Sequence, residues 1–309
     1  MSHPSAPSKK SGFTHILVID IGGTHVKFGY LEQGLPLSFS HILATLLLRT
    51  GDSIACLENE IRRVINKTGI MPEVMVVTVP GFLAKDGDLI LHLPNIPEMS
   101  GLRLQTELVN RLNIPVILER DAILALLGEY SNEPTLQARP VLGIFFGTGI
   151  GAAMLIDGQP LRGEGWALEI GHMPVFNELS HRRADRKEYV EDYASGRALA
   201  AIAAKYKQPI DDIFTINHND TTLATALDDF IHYQALVVES AIAILSPAVV
   251  ILGGGVVAMK NYPKQRLESL LSSDNPFARV NISPELRWAR HGWQSVLYGA
   301  VKLSETLLD

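Results

Sequence analysis

The chain has 309 residues, of which 47% are hydrophobic and 19% charged, a composition typical of a globular protein rather than a disordered one. This length exceeds that of a single common core and favours two α/β domains. The formal net charge of -6 argues against nucleic-acid binding, and the single cysteine, Cys56, excludes an internal disulfide framework and a multi-cysteine zinc cluster. We expect Cys56 to be a small buried apolar residue.

The first 13 residues are polar and contain proline, and they lack the apolar segment of a signal peptide. We therefore expect 1–13 to form a disordered tail. The sequence contains no run of 18 apolar residues, so we expect no membrane partner. Together with the single thiol, these features favour a cytoplasmic location.

The first half of the chain is predicted to alternate strands and helices. The run from Val74 to Pro80 is continuously apolar and predicts a strand that is buried on both faces. The elements expected here are a strand hairpin over 15–32, a third strand over 39–48, a helix over 53–68, the strand over 74–80, a helix near 101–113, a strand over 116–118 and a helix over 121–130.

The second half repeats this theme after a loop over 131–140, with a strand, a glycine turn and a second strand that begin at Val141. Further expected elements are helices near 190–206 and 222–245, a strand over 248–252 that leads into Gly253-Gly-Gly255, and a terminal helix near 292–308. Hairpins followed by crossover helices, given twice, predict a duplicated α/β architecture. The terminal helix could fold back on the first half.

Two glycine turns lie between apolar strands, Asp20-Ile-Gly-Gly-Thr24 and Gly147-Thr-Gly-Ile-Gly151. Each would expose backbone N–H groups to an anion, although one such turn by itself is commonly only a tight turn. Neither has the spacing of a P-loop, and the second enters a strand instead of a helix, which argues against NAD. The pair favours a nucleotide triphosphate, with Asp20 as a candidate Mg²⁺ ligand, directly or through water.

Candidate chemistry comes from a second set of polar residues. Asp121 fits a helix N-cap and also a general base that takes a proton from a sugar hydroxyl, and these two roles are compatible. Glu169 and His172 lie in a glycine-bearing loop with Glu191 downstream, an arrangement suited to the hydroxyls of a polyol. The alternative for His172 is an ordinary structural histidine.

The motifs taken together resemble the ROK family of sugar kinases and repressors over nearly the whole chain from residue 15. The resemblance rests on the two glycine turns and on Val79-Pro-Gly81, Leu93-Pro-Asn95, Asp121-Ala, Glu169-Ile-Gly-His172-Met, Tyr193-Ala-Ser-Gly-Arg-Ala-Leu199 and Leu252-Gly-Gly-Gly255. It implies the duplicated actin-like (ribonuclease H-like) ATPase fold, with ATP and sugar in a cleft between two domains.

The implied domains are 14–122 plus 290–309, with the first phosphate loop, and 123–289, with the second phosphate loop, the sugar loop and the adenosine loop. The implied ATP site comprises Asp20, Gly22, Gly23, Thr24, Lys27, Gly147, Thr148, Gly149, Gly151, Gly253, Gly254 and Gly255. The implied sugar site comprises Gly81, Asn95, Arg120, Asp121, Glu169, His172 and Glu191. The resemblance also implies a homodimer.

The chain departs from the family pattern at two places. Many members carry a Cys-x-Cys-Gly-x-x-Gly-Cys zinc motif where this chain has 177–188 without cysteine, so no zinc site is expected. We expect charge pairs among Arg182, Arg183, Asp185 and Glu188 to hold that loop instead.

The second departure is Arg120, because the family usually has Asn before the catalytic Asp. Arginine at this position resembles the D-allose kinase branch, so Arg120 is a candidate selector of the sugar. In the alternative, Arg120 points away from the sugar and pairs with Glu119 or Glu129.

The function that follows is an ATP- and Mg²⁺-dependent hexose kinase acting on the 6-hydroxyl of D-allose, glucose or a related hexose or amino sugar, with Asp121 as general base. One alternative is a sugar-responsive repressor of the same family, which carries a helix-turn-helix domain ahead of the phosphate loop. About 20 residues precede Gly22 here, which is too few for three helices. The other alternative is a catalytically silent sugar sensor.

Overall fold

The protein is described by a computed structural model over residues 12–131, 133–175, 188–215, 221–273 and 283–308. The chain divides into two compact units, Met1–Arg120 with Val296–Asp309, and Asp121–Ser295. The domain boundaries inferred from the sequence stay a prediction. The described residues include no helix with the length and apolar character that crossing a bilayer requires.

The strands are β1 (His15–Ile21), β2 (His25–Glu32), β3 (Leu35–Ala44), β4 (Val74–Val79), β5 (Phe82–Leu83), β6 (Ile90–His92), β7 (Val116–Arg120), β8 (Val141–Phe146), β9 (Ile150–Ile156), β10 (Gln159–Pro160), β11 (Val249–Gly253) and β12 (Glu285–Trp288). The α-helices are α1 (Ser53–Thr68), α2 (Leu104–Leu112), α3 (Asp121–Ser131), α4 (Glu191–Ala194), α5 (Gly196–Lys205), α6 (Thr221–Leu245), α7 (Lys264–Ser273) and α8 (Gln294–Ser304).

The first unit is built on a five-stranded sheet in the order β3-β2-β1-β4-β7. The β1–β2 and β2–β3 pairs are antiparallel, whereas β1–β4 and β4–β7 are parallel. All six residues of β4 are buried, as the apolar run predicted. Helix α1 begins where the Asp52 carboxylate accepts the N–H groups of Ile54 and Ala55, and it ends at Gly69 with a left-handed backbone.

The second unit repeats this topology with a sheet in the order β10-β9-β8-β11-β12. Its β8–β9 and β9–β10 pairs are antiparallel, and its β8–β11 and β11–β12 pairs are parallel. Each unit has a hydrophobic cluster of its own. The predicted duplication of an α/β architecture is therefore confirmed.

Three local predictions need correction. The third strand covers Leu35–Ala44 rather than 39–48, because a 3-10 helix begins at Thr45, whose N–H and hydroxyl bond to the first glycine turn. The helix expected near 190–206 is two helices, since Ser195 between them is extended (φ -94°, ψ 171°) and caps α5. Cys56 is half-buried rather than buried, and desolvation raises the pKa of its thiol.

Candidate active site

In the first unit, candidate residues gather at the carboxyl ends of the parallel strands β1, β4 and β7. The sheet register places Asp20 beside Thr78 of β4 and opposite Lys27 of β2. The Thr78 hydroxyl donates a hydrogen bond of 2.8 Å to Asp20 Oδ1. The Thr78 hydrogen bond therefore orients the Asp20 carboxylate near the end of its strand.

The first glycine turn is closed by backbone bonds and lies against a predicted sugar ligand. The Gly22 N–H donates to the His25 carbonyl at 2.9 Å, and the Thr45 hydroxyl donates to the Gly22 carbonyl at 2.8 Å. A Cβ on Gly23 would lie 2.9 Å from Asn95 Nδ2, closer than real side chains approach. The structure thus brings together Gly23, assigned to the phosphates, and Asn95, assigned to the sugar.

Two further sugar candidates lie near this edge. A Cβ on Gly81 would lie 2.4 Å from the His92 carbonyl, so glycine lets the chain after β4 pack against β6. Arg120 is the last residue of β7 and is only 4% exposed. The buried Glu119 carboxylate accepts the backbone N–H of Arg120 at 2.9 Å. The role of the Arg120 side chain as selector of the sugar stays a prediction.

In the second unit, the second glycine turn is tied to the beginning of α5. The N–H of Gly196 donates to the Gly147 carbonyl at 2.8 Å, and the N–H of Arg197 donates to the Thr148 carbonyl at 3.2 Å. A Cβ on Gly196 would lie 2.6 Å from the Gly147 oxygen. The turn is therefore held in place by the packing of a helix against its backbone.

The Gly253–Gly255 run packs against the strand that precedes this turn. Gly254 has a φ of +96°, and a Cβ there would lie 2.4 Å from the Phe146 carbonyl oxygen. The same carbonyl accepts the N–H of Val256 at 2.9 Å. The Gly253–Gly255 run, predicted to bind adenosine, and the second glycine turn, predicted to bind phosphate, are thus neighbours at the end of β8.

Glu191 connects the second glycine turn to the sugar loop, the segment that contains Glu169 and His172. Its Oε2 lies 2.9 Å from the Cβ position of Gly149 and 3.1 Å from that of Gly171, while its Oε1 forms an ion pair with Arg197. In the same loop, Glu169 Oε2 lies 3.4 Å from His172 Nδ1. Three of the predicted sugar ligands, Glu169, His172 and Glu191, are therefore grouped in one unit.

The pKa of His172 is raised above the usual histidine value. The largest cause is its hydrogen bond to Glu169; burial opposes the increase, the charge of Glu191 adds to it, and the charge of Arg197 reduces it. The Tyr189 ring contacts the imidazole edge-on. His172 therefore keeps its proton to a higher pH than an isolated histidine does.

Glu169→Gln is expected to lower the pKa of His172, because the amide removes the charged acceptor. The stability that the pair contributes should be full below the unfolded-state pKa, about 6.5, and should be lost as pH rises through the raised folded-state value. NMR titration of the His172 ring in both proteins measures the shift. An unchanged pKa in the variant would show that Glu169 does not govern this histidine.

Asp121 is the first residue of α3, and its Oδ1 accepts the N–H of Ala122 at 2.7 Å. A Cβ on Gly151 would lie 3.2 Å from the Ala122 Cβ. The helix that carries the candidate base therefore begins directly against β9, the strand that follows the second glycine turn.

Two residues of this site were not predicted. Thr78 is the one polar residue in the apolar run of β4, and that interruption could have marked it. Arg197 lies in the motif after Ser195, but nothing in its spacing indicated the ion pair with Glu191. Of the charge pairs expected in the 177–188 loop, Arg182, Arg183 and Asp185 lie outside the described residues, and Glu188 accepts from the Tyr193 hydroxyl.

Comparison with known proteins adds a family-wide match. The sequence profile of the ROK family matches residues 16–306. N-acetyl-D-glucosamine kinase of Escherichia coli O6:H1 is 28% identical over 305 residues, which cover 93% of this chain and 98% of that protein.

Solved structures show the same fold. A ROK hexokinase from Thermus thermophilus is 25% identical, with a TM-score of 0.73 over 95% of this chain and 99% of that one. A ROK family glucokinase from Streptomyces griseus, solved with glucose and AMPPNP, is 22% identical, with a TM-score of 0.75 over 96% of this chain and 100% of that one. The fold is the duplicated actin-like (ribonuclease H-like) ATPase fold predicted from the sequence.

Proposed function

Because the chain belongs to the ROK family and is a sugar kinase, we propose that it transfers the γ-phosphate of ATP to the 6-hydroxyl of a hexose. The observation that carries the proposal is the grouping, within the second unit, of three features. These are Asp121 at the start of α3, the second glycine turn beside it, and the Glu169–His172 loop joined to that turn through Glu191.

In this proposal Asp121 takes the proton of the 6-hydroxyl as its oxygen attacks phosphorus. Its carboxylate stands at the beginning of a helix, where an anionic group is favoured before the proton arrives. Backbone N–H groups at Gly23 and Thr24 in the first glycine turn and at Thr148 and Gly149 in the second would bind the phosphates, because the N–H groups of Gly22 and Gly147 donate within their own turns. Apart from accepting this proton, the residues of this chain act by positioning the reactants and by stabilising the charge on the transferred phosphate.

Asp20 is the residue proposed to hold Mg²⁺, directly or through water. Its carboxylate has the hard oxygen donors that Mg²⁺ prefers, and Thr78 orients it by a hydrogen bond to one oxygen. Lys27, directly opposite on β2, is proposed to bind the same phosphates. The ion would neutralise charge on the phosphates when bound.

We place the nucleotide base in a cavity of about 230 Å³ in the second unit. Its wall includes Asn261 and Pro263, which follow the Gly253–Gly255 run along the chain. The rest of the wall combines apolar side chains, among them Phe214 and Leu227, with the ion pair of Asp228 and Arg266. Its apolar part suits a flat aromatic ring.

The reaction itself is tested by ADP release, measured with a coupled assay on a panel that includes allose, glucose, mannose, N-acetylglucosamine and N-acetylmannosamine. We expect at least one sugar to stimulate ADP release well above the rate without sugar. A panel on which every sugar gives the sugar-free rate would contradict the hexose kinase and favour the silent sensor or the repressor. The cytoplasmic location and the homodimer stay predictions.

Arg120 is the proposed selector of the sugar, and the D-allose branch supplies the first candidate substrate. Arg120→Asn is expected to change the order of kcat/KM values across the panel, because a buried five-donor cation is replaced by a short amide. Arg63→Asn is the matched control, since the Arg63 side chain is 71% exposed on α1. An order of preference that stays the same in Arg120→Asn would exclude Arg120 as the selector.

A further inference from the structure

We propose that Glu129, near the end of α3, is a positioning residue that fixes where Asp121 stands. The proposal rests on the assignment of Asp121 as the general base. Glu129 is only 6% exposed, although it is a carboxylate. Burying a carboxylate costs free energy unless its oxygens accept hydrogen bonds. The groups that donate those hydrogen bonds therefore indicate the structural role of Glu129.

The Glu129 carboxylate binds backbone rather than side chains. The N–H of Arg290 lies 3.2 Å from both Oε1 and Oε2, and the N–H of His291 lies 3.1 Å from Oε1. Hydrogen bonds from N–H groups to a charged acceptor are stronger than neutral ones. They fasten the end of α3 to the segment 290–295, which leads into α8.

The adjacent glycine brings the same two segments into direct backbone contact. A Cβ on Gly128 would lie 1.8 Å from the Ser295 carbonyl oxygen and 2.9 Å from the Ser295 Cα. No side chain fits in that space, so the backbone of α3 lies directly on the chain at Ser295. The attachment at the end of α3 is therefore both polar and steric.

The opposite surface of α3 is held by the sheet of the same unit. A Cβ on Gly151 would lie 3.2 Å from the Ala122 Cβ, and a Cβ on Gly143 would lie 3.0 Å from Leu126 Cδ1. Helix α3 is thus packed between β8 and β9 on one side and 290–295 on the other. Asp121 and Glu129 are separated by about 12 Å along this helix, at 1.5 Å per residue.

A hydrogen-bonded helix of this length moves as one body, so a shift at Glu129 is passed to Asp121. Misplacement of a reacting group by about 1 Å can cost about 10²-fold in rate. Of the proposed sugar ligands, α3 carries only Asp121, while Glu169, His172 and Glu191 lie on other segments of the unit. Loosening Glu129 should therefore affect the chemical step more than sugar binding.

Glu129→Gln tests this, because the amide keeps one acceptor oxygen and a similar shape but loses the charge. We expect kcat to fall about 10-fold or more, toward the 10²-fold expected for a displaced group, while KM for the sugar changes less than about twofold. Glu129→Asp, which keeps the charge on a shorter side chain, should also lower kcat with little change in KM. A loss of kcat/KM that comes from a higher KM, with kcat unchanged, would overturn the proposal.

Glu133→Gln is the matched control. Its Oε2 pairs with the exposed side chain of the same Arg290 at 3.0 Å and with that of Arg287 at 3.6 Å, so it binds side chains and not the backbone of 290–295. Removal of these pairs should leave kcat within about twofold of the wild type. A control that lowers kcat as much as Glu129→Gln would show that general loosening of 290–295, rather than the position of α3, sets the rate.

The double variant Glu129→Gln/Asp121→Asn separates positioning from ordinary stability. If Glu129 acts through Asp121, its substitution should have no further effect on kcat once the base is removed. The same fractional loss in both backgrounds would overturn the inference and leave Asp121 as the base. Near-normal turnover of Asp121→Asn alone would instead overturn the assignment of Asp121 as the base, whereas the kinase activity itself is tested by the sugar panel.

Discussion

Asp121→Asn is expected to lower kcat for sugar phosphorylation by about 10²-fold to 10⁴-fold, the range usual for loss of a general base. Asparagine is nearly the same size as aspartate but does not accept the proton of the 6-hydroxyl. Its side-chain oxygen can still accept the Ala122 N–H, so α3 should begin in the same place. The dissociation constant of the sugar, measured by isothermal titration, should therefore stay within about threefold of the wild-type value.

The control for this variant is Asp229→Asn, which removes one carboxylate from an exposed position on α6. Its turnover should equal that of the wild type. Asp121→Asn with turnover close to normal would contradict the assignment of the base. Loss of sugar binding together with turnover would instead make Asp121 a binding residue.

Gly254→Ala is expected to destabilise the protein by about 2–5 kcal/mol, the sum of a left-handed backbone cost and a steric cost. Its φ of +96° disfavours any side chain, and the new Cβ would lie 2.4 Å from the Phe146 oxygen and 2.6 Å from Phe146 C and N. These are backbone atoms of a central strand, so they cannot rotate away. Thermal and urea unfolding measure the loss, and KM for ATP should increase in any variant that folds.

Gly255→Ala is the matched control, because a Cβ there has no neighbour within 4 Å. Its stability should differ from that of the wild type by less than about 0.5 kcal/mol. Equal stability of Gly254→Ala and Gly255→Ala would contradict the close packing of the Gly253–Gly255 run against the end of β8.

In the proposed mechanism, few side chains bind the phosphates directly. Backbone N–H groups at two turns, each placed by packing, do most of the binding in it. Glycine is also needed in these turns because polar side chains pack closely against them, Asn95 against Gly23 and Glu191 against Gly149. A side chain at either place would displace a polar group assigned to the sugar.

The elements with a strong periodic signal were predicted closely. Helix α1 has the predicted bounds, and β4 ends one residue before the predicted limit. The short strands β5, β6, β10 and β12 were missed, as was α7, because two to four residues, or a polar helix, carry little pattern. Ser195 was missed as a helix boundary although the signal is local, since serine is a favoured N-cap residue and its hydroxyl accepts the N–H of Ala198.

Local sequence was enough to determine where the glycine turns lie, that two similar halves exist, and which carboxylates and histidine carry the candidate chemistry, since each depends on a short pattern of residue types. Only the tertiary structure decided which of these groups meet. Asn95 contacts Gly23 across 72 residues, Glu191 contacts both Gly149 and Gly171, and Glu129 fastens α3 to a segment 161 residues further along the chain. The reason is physical: contacts across such separations follow from sheet register and helix packing, which no local pattern encodes.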